Sequence, residues 1–239
     1  MKNLTTVLFD LDGTLLPINM QDFERVYFSL LTEAFKDIAS PKEFMTQIGG
    51  AITTMVKNTE PRTNEEVFMT TLKNTVQDKF PLYEETFAHF YNHGFDGLRR
   101  AVQDTPAMRK ATEILKTKGY DLVIATNPLF PRLAIEKRIT WAGVKRSHFS
   151  YVTSFEENHY CKPNLEYYSE ILETLGKSPE ECLMVGNDAL EDLAAGKLGL
   201  KTYLITDHLL NRHQVPIEAD HVGSYDDFLQ FAQTLPSLN

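Results

Sequence analysis

The sequence predicts an α/β protein, a three-layer parallel-sheet core interrupted by an all-α insertion. Three observations lead there. The apolar run Leu4-Thr5-Thr6-Val7-Leu8-Phe9 has the β-branched and aromatic content, and the length, of a buried strand. From about Met20 to Val102 helical periodicity dominates and no strand pattern stands out. From Pro106 onward, strand patterns alternate with helical ones, which implies right-handed crossovers and a parallel sheet. A lone strand cannot bury its faces, so the first strand belongs with the later ones. The chain therefore divides into a discontinuous core, 1–17 and 103–239, and a helical insertion, 18–102.

Within the insertion, Asp22 to Phe35 repeats apolar residues at helical spacing. Ser40-Pro41-Lys42-Glu43 reads as a capping box with proline at the first helical position. Asn64 opens a third helix, and Tyr83 to Tyr91 makes an aromatic fourth. In the core, Met108 to Lys118 is helical and Asp121 to Ala125 a strand. Arg132 to Ala142 is a helix, Phe149 to Thr153 a strand, and Leu165 to Leu175 a helix closed by Gly176. Cys182 to Val185 is a strand, Leu190 to Leu198 a helix, and Lys201 to Ile205 a strand. Ala219 to Val222 is a short extended piece before a last helix, Tyr225 to Leu235.

Composition narrows the function. Hydrophobic residues at 42% and charged residues at 24% are ordinary for a globular protein. The net charge of −9 argues against general affinity for nucleic acid or anionic membrane. No apolar run approaches the ~20 residues of a membrane span. Met1-Lys2-Asn3-Leu4 leads straight into the first strand, where no cleavable leader is expected. Cys161 and Cys182 have no metal-ligand spacing and are expected to pack, which makes a cytoplasmic setting the simplest.

The chemistry sits at strand ends. The first strand runs into Asp10-Leu11-Asp12-Gly13-Thr14, two carboxylates beside a turn-permitting glycine. Two such acids invite a divalent cation, and one can act as a nucleophile. A second strand ends at Thr126-Asn127-Pro128, and a third at Gly186-Asn187-Asp188. Ligands of open α/β sheets bind outside the carboxyl ends of the strands, so these distant segments converge on one crevice. Lys162-Pro163 precedes a helix, and Asp188 and Asp192 stand four residues apart where another helix is expected to begin. His159 is read as a loop histidine without a partner. Arg99-Arg100 read as solvated charge, and Met45, Met55 and Met69 as filler in the insertion.

Together these strings resemble the four motifs of the haloacid dehalogenase (HAD) superfamily, in order, from Asp10 to Asp192. The resemblance implies a Rossmann-like core with a helical cap inserted after the first motif. It also implies a Mg2+-dependent phosphatase acting on a small phosphorylated metabolite. Asp10 would be the nucleophile forming an aspartyl-phosphate, and Asp12 the acid and then the base. Thr126, Asn127 and Lys162 would bind phosphate. Asp10, the Asp12 backbone carbonyl and Asp188 would hold the metal, with Asp192 supporting the site. A sugar-phosphate mutase of the phosphoglucomutase type shares these motifs and stays open. A haloacid dehalogenase normally lacks the second aspartate, so Asp12 weighs against it. A non-catalytic ligand-binding member is disfavoured by the full motif set. Neither substrate nor oligomeric state is legible.

Overall fold

A computed structural model describes residues 3–238. The outermost residues of the expected core, 1–2 and 239, and the first two residues of the expected leaderless start lie outside the described residues.

The sheet has six strands: β1 (Thr6–Phe9), β2 (Asp121–Ile124), β3 (Phe149–Val152), β4 (Cys182–Gly186), β5 (Lys201–Ile205) and β6 (His221–Gly223). Their order is β3-β2-β1-β4-β5-β6, with every neighbouring pair parallel. β1 lies in the middle, and the chain order reverses between β1 and β4. That reversal opens a crevice at the carboxyl ends of these two strands. The register levels the tips: Phe9 pairs with Ile124 on one side and Val185 on the other. The next backbone N–H groups continue the ladder, with Asp10 donating to Val185 at 2.9 Å and Ala125 to Phe9 at 2.7 Å.

Strand alternation sorts the core into two faces. Val7 and Phe9 point to one side, where they pack with α5 (Pro106–Thr117), α6 (Arg132–Ala142) and α8 (Tyr225–Thr234). Leu8 points to the other, with Val123, Met184 and α7 (Leu165–Leu175). Strands buried on both faces read as continuous apolar runs, which is why β1, β2 and β4 stand out in the sequence.

Between β1 and α5 the regular structure is helical: α1 (Met20–Ala34), α2 (Pro41–Val56), α3 (Asn64–Val76) and α4 (Phe80–His89). Asn19, Ser40 and Thr63 cap the first three with side-chain oxygens. The Ser40 cap is half of the expected box, since only its acceptance from Glu43 N–H forms; the full reciprocal box is at Thr63 and Glu66. The aromatic fourth helix changes pitch, passing through a π turn at Phe90–Gly94 into a 3-10 stretch at Phe95–Ala101. This segment leaves and re-enters the core at one point. Ile18 bridges Val102 in antiparallel fashion, and Gln103 N–H donates to the Pro17 carbonyl at 2.9 Å.

One helix departs from the sequence expectation. Leu190 to Leu198 is turn followed by a 3-10 stretch, Leu193–Leu198. The cause is local: Asp188 Oδ1 accepts the N–H groups of Leu190 and Glu191, both at 2.8 Å. An Asx-type turn thus competes with a regular α-helical start. No helix among the described residues is long and apolar enough to cross a membrane.

Candidate active site

The loop after β1 carries two carboxylates into the crevice. It is closed by Leu16 N–H donating to Leu11 O and Gly13 N–H to Leu16 O, both at 2.7 Å. Gly13 has φ +87°, a backbone conformation that side chains disfavour, and a Cβ there would lie 2.3 Å from Asn187 Nδ2. Asn187 in turn accepts from the Thr14 hydroxyl at 3.0 Å and donates to the His208 carbonyl at 2.7 Å. The first loop and the loop after β4 are therefore one interlocked unit.

Lys162 is buried beneath the crevice. Its Nζ donates to Asp10 Oδ1 at 2.9 Å and to Asp192 Oδ1 at 2.7 Å. Asp192 also accepts the Asp188 N–H, at 2.8 Å, through its other oxygen. Its carboxylate lies so close to Gly186 that a Cβ there would sit 2.1 Å from Asp192 Cγ. Asn127 holds the lysine's backbone: its Oδ1 accepts from Lys162 N–H at 3.2 Å, and its Nδ2 donates to Glu191 at 3.0 Å. Thr126 is buried at the end of β2, and its carbonyl takes bonds from Thr153 at 2.7 Å and Tyr167 at 2.9 Å.

Asp10, Asp12, Thr126, Asn127, Asp188 and Asp192 line a single cleft of about 160 Å³, with Glu24, Glu191 and Arg212 also on its wall. Lys162 is the one sequence-predicted site residue that lies under the cleft rather than on its lining. Arg212 bonds Glu24 of α1 at 2.7 Å across the mouth. Carboxylates outnumber cations on this wall. Burial raises Asp10 to about 8, against the opposing pull of Lys162, with Asp192 and Asp12 adding repulsion. Burial likewise raises Asp12 and Asp188, and lifts Glu191 to about 7. Burial alone would depress Lys162, but Asp10 and Asp192 outweigh it and hold the ammonium well above its usual range.

Several participants were not singled out from sequence. Arg138 is fully buried on α6 and ion-paired to Asp12 through Nη1 and Oδ2. Its signal was available: it shares the buried stripe Ala134, Ile135, Ile139 and Ala142, where a cation is out of place. Asn187 stands in the strand end Gly186-Asn187-Asp188 but was given no role, and Glu191 and Arg212 carried no comparable signal. The expected partnerless histidine is a correction, since His159 Nδ1 pairs with Glu170, which also accepts the His159 N–H at 3.3 Å. Cys161 and Cys182 are buried, and burial pushes both thiols up, Cys182 to about 12.

The parallel sheet thus gathers several carboxylates and a buried lysine at its switch point, in the crevice where open α/β sheets bind their ligands. A family profile described as haloacid dehalogenase-like hydrolase matches residues 4–199. The chain belongs to that family. It is similar to a pyrophosphatase PpaX from Anoxybacillus flavithermus, 24% identical over 228 residues, 95% of this chain and 92% of the relative. It is also similar to a phosphoglycolate phosphatase from Aquifex aeolicus, 27% identical over 202 residues and 84% of each chain. A crystal structure of a predicted phosphoglycolate phosphatase from Haemophilus somnus 129pt has the same fold, with a TM-score of 0.63, 20% identity, and coverage of 98% of this chain and 100% of that one.

The interlock at Gly13 makes a prediction. Gly13→Ala should lower unfolding stability by about 1–3 kcal/mol, from the strained φ and the clash with Asn187. The denaturant midpoint measures it, and an unchanged midpoint would show that the loop relaxes freely.

Proposed function

We propose that this chain is a Mg2+-dependent phosphatase acting on a small phosphorylated metabolite through an aspartyl-phosphate, with residues 18–102 serving as a cap over the core. The observation that carries this reading is Asp10 at the tip of β1, fixed by Lys162 at 2.9 Å and lining the cleft. One carboxylate oxygen is held by the ammonium. Among the described residues the other makes no hydrogen bond and is available to attack phosphorus. In-line attack on a phosphate monoester forms the aspartyl-phosphate and expels the alcohol oxygen.

Asp12 lies two residues on, with raised proton affinity, and is placed to protonate that oxygen. The carboxylate left behind then accepts a proton from the water that hydrolyses the acyl phosphate. The relation to a dehalogenase turns on this residue, because a halide leaves without a proton. Thr126 and the Lys162 ammonium are assigned to the phosphoryl oxygens. Asn127 is committed at both ends of its amide, so its contribution is to hold Lys162 in place.

The donor set suits a hard cation. Asp10 and Asp188 both line the cleft, and their raised proton affinities reflect buried negative charge without enough counter-charge. No cage of three or more His, Cys, Asp or Glu side chains exists among the described residues. Magnesium takes one or two carboxylates and completes its octahedron from water and phosphate. Asp10, Asp188 and the Asp12 main-chain carbonyl would hold it, and when bound it would neutralise the phosphoryl charge that these acids otherwise repel. The phosphatase names of the relatives support the same chemistry. A cytoplasmic setting remains the simplest for a chain with two buried free thiols.

Two outcomes test the reading. Asp10→Asn should cut phosphate release from p-nitrophenyl phosphate by about three orders of magnitude or more, and a chelator should do likewise. Turnover within a few-fold of the parent would refute the nucleophile. The second outcome concerns pH. In the metal-free protein Asp10 keeps its proton up to about 8, whereas the unfolded chain releases it near 3.8. The folded state thus binds the extra proton in this window, and its stability falls as pH rises through it. Magnesium must displace that proton, so the rise in Tm on adding Mg2+ should be larger at about pH 9 than at about pH 6. An equal or opposite trend would argue against Asp10 as a ligand.

A further inference from the structure

Arg138 plays no part in the chemistry above, yet the fold places a whole guanidinium in its interior at a catalytic carboxylate. Burying a cation is unfavourable unless charge and hydrogen bonds compensate, and an apolar side chain of similar volume is often at least as stable. The compensation here is partial. Nη1 pairs with Asp12, Nε donates to the Ala134 carbonyl at 3.3 Å, and Cζ lies 4.4 Å from the centre of the Phe130 ring. Nη2 is buried with no hydrogen-bond partner among the described residues. Every neighbour on the buried stripe of α6 is apolar. Stability alone gives little reason for arginine at this position.

What the guanidinium adds is direction. It ties Oδ2 of Asp12, while Oδ1 has no hydrogen-bond partner among the described residues. Oδ1 is itself buried, so Arg138 fixes the orientation of the whole carboxylate through Oδ2 alone. The contact is single, Nη1 to Oδ2, and the guanidinium that makes it is itself held in place by the Ala134 carbonyl and the Phe130 ring. The same anchor reaches the cap. Phe130 lines the cleft and stacks under Arg138, and its ring packs edge-on against Phe23 at 6.0 Å and Tyr27 at 5.3 Å, both on α1. Phe95, from the 3-10 stretch, completes this contact at 6.3 Å. An unbroken chain of contacts thus runs from the cap aromatics through Phe130 and Arg138 to Asp12.

We propose that Arg138 is a positioning residue that aims Asp12 at the leaving-group oxygen, and that Phe130 makes this aim depend on the seating of the cap. The proposal rests on the reading of Asp12 as general acid. Its consequence is selective. Misdirecting the acid slows esters whose leaving group needs a proton and spares those whose leaving group departs as a stable anion.

The test compares kcat/KM for phenyl phosphate and p-nitrophenyl phosphate. Asp12→Asn sets the benchmark and should lose about tenfold or more extra on the phenyl ester. Arg138→Met, which keeps the volume but not the charge, should show the same bias. The double variant should show no more bias than Asp12→Asn alone, because the two residues act as one unit. Arg138→Lys and Phe130→Leu should each show a smaller bias in the same direction, and they carry the test if Arg138→Met does not fold by its thermal melt. Equal losses on both esters in the Arg138 and Phe130 variants, beside a biased Asp12→Asn, would overturn the proposal and leave the reading of Asp12 intact. An unbiased Asp12→Asn would instead overturn the reading of Asp12, and the proposal with it.

Discussion

The buried ammonium of Lys162 between Asp10 and Asp192 is the constraint on which the rest of the site depends. Asp10 after β1 and Asp192 in the turn after β4 both lie within hydrogen-bond reach of one fully buried nitrogen. Removing one partner of a buried charge pair typically costs about 3–5 kcal/mol, because the remaining charge is left uncompensated. The triad therefore joins three segments far apart in sequence: the end of β1, the loop before α7 and the turn after β4. It also selects which Asp10 oxygen is tethered and which is left without a hydrogen bond among the described residues. Gly186 belongs to the same constraint, since any side chain there would occupy the space of the Asp192 carboxylate.

The sheet makes that convergence possible. β1 is flanked by β2 and β4 in level register, so their following residues emerge at one height. The reversal of chain order beside β1 leaves a crevice that helices do not fill. Tyr225, at the start of α8, reaches back to donate to the Gly13 carbonyl at 2.7 Å, which ties the far end of the chain to the first loop. The site thus contains two carboxylates two residues apart with separate cationic partners, Lys162 for Asp10 and Arg138 for Asp12. Different partners hold the neighbouring acids separately, and the proposed division of roles between them rests on that difference.

Much of this was legible in the residues. Strands buried on both faces are written as apolar runs, and β1, β2, β4 and β5 were found to within about two residues, the usual uncertainty of element ends. The helices α1, α3, α6 and α7 were marked by periodicity and by Asn64, Gly143 or Gly176 at their ends. Asp10, Asp12, Thr126, Asn127 and Asp188 were marked by their positions just past strands and Asp192 by its place four residues after Asp188, and they share one cleft. What escaped depended on tertiary pairing. Arg138 stands out as a cation on the apolar stripe of α6, but its pairing with Asp12 follows only from the docking of α6. Asp188 turns its side chain back on its own backbone, which no periodicity reveals and which replaced an expected helix with turn and 3-10. Where the pitch changes after His89, Phe90 and Phe95 pack against Tyr27 and Trp141, contacts between segments that periodicity does not reveal.

The central claim is that Asp10 carries the phosphoryl group. Rapid acid quench of the protein during turnover of p-nitrophenyl phosphate, followed by peptide mass spectrometry, measures this directly. The account predicts a transient, base-labile phosphoryl group on the peptide containing Asp10, absent from Asp10→Asn. A phosphoryl group on another residue, or steady turnover with no phosphorylated protein under conditions that trap acyl phosphates, would contradict it.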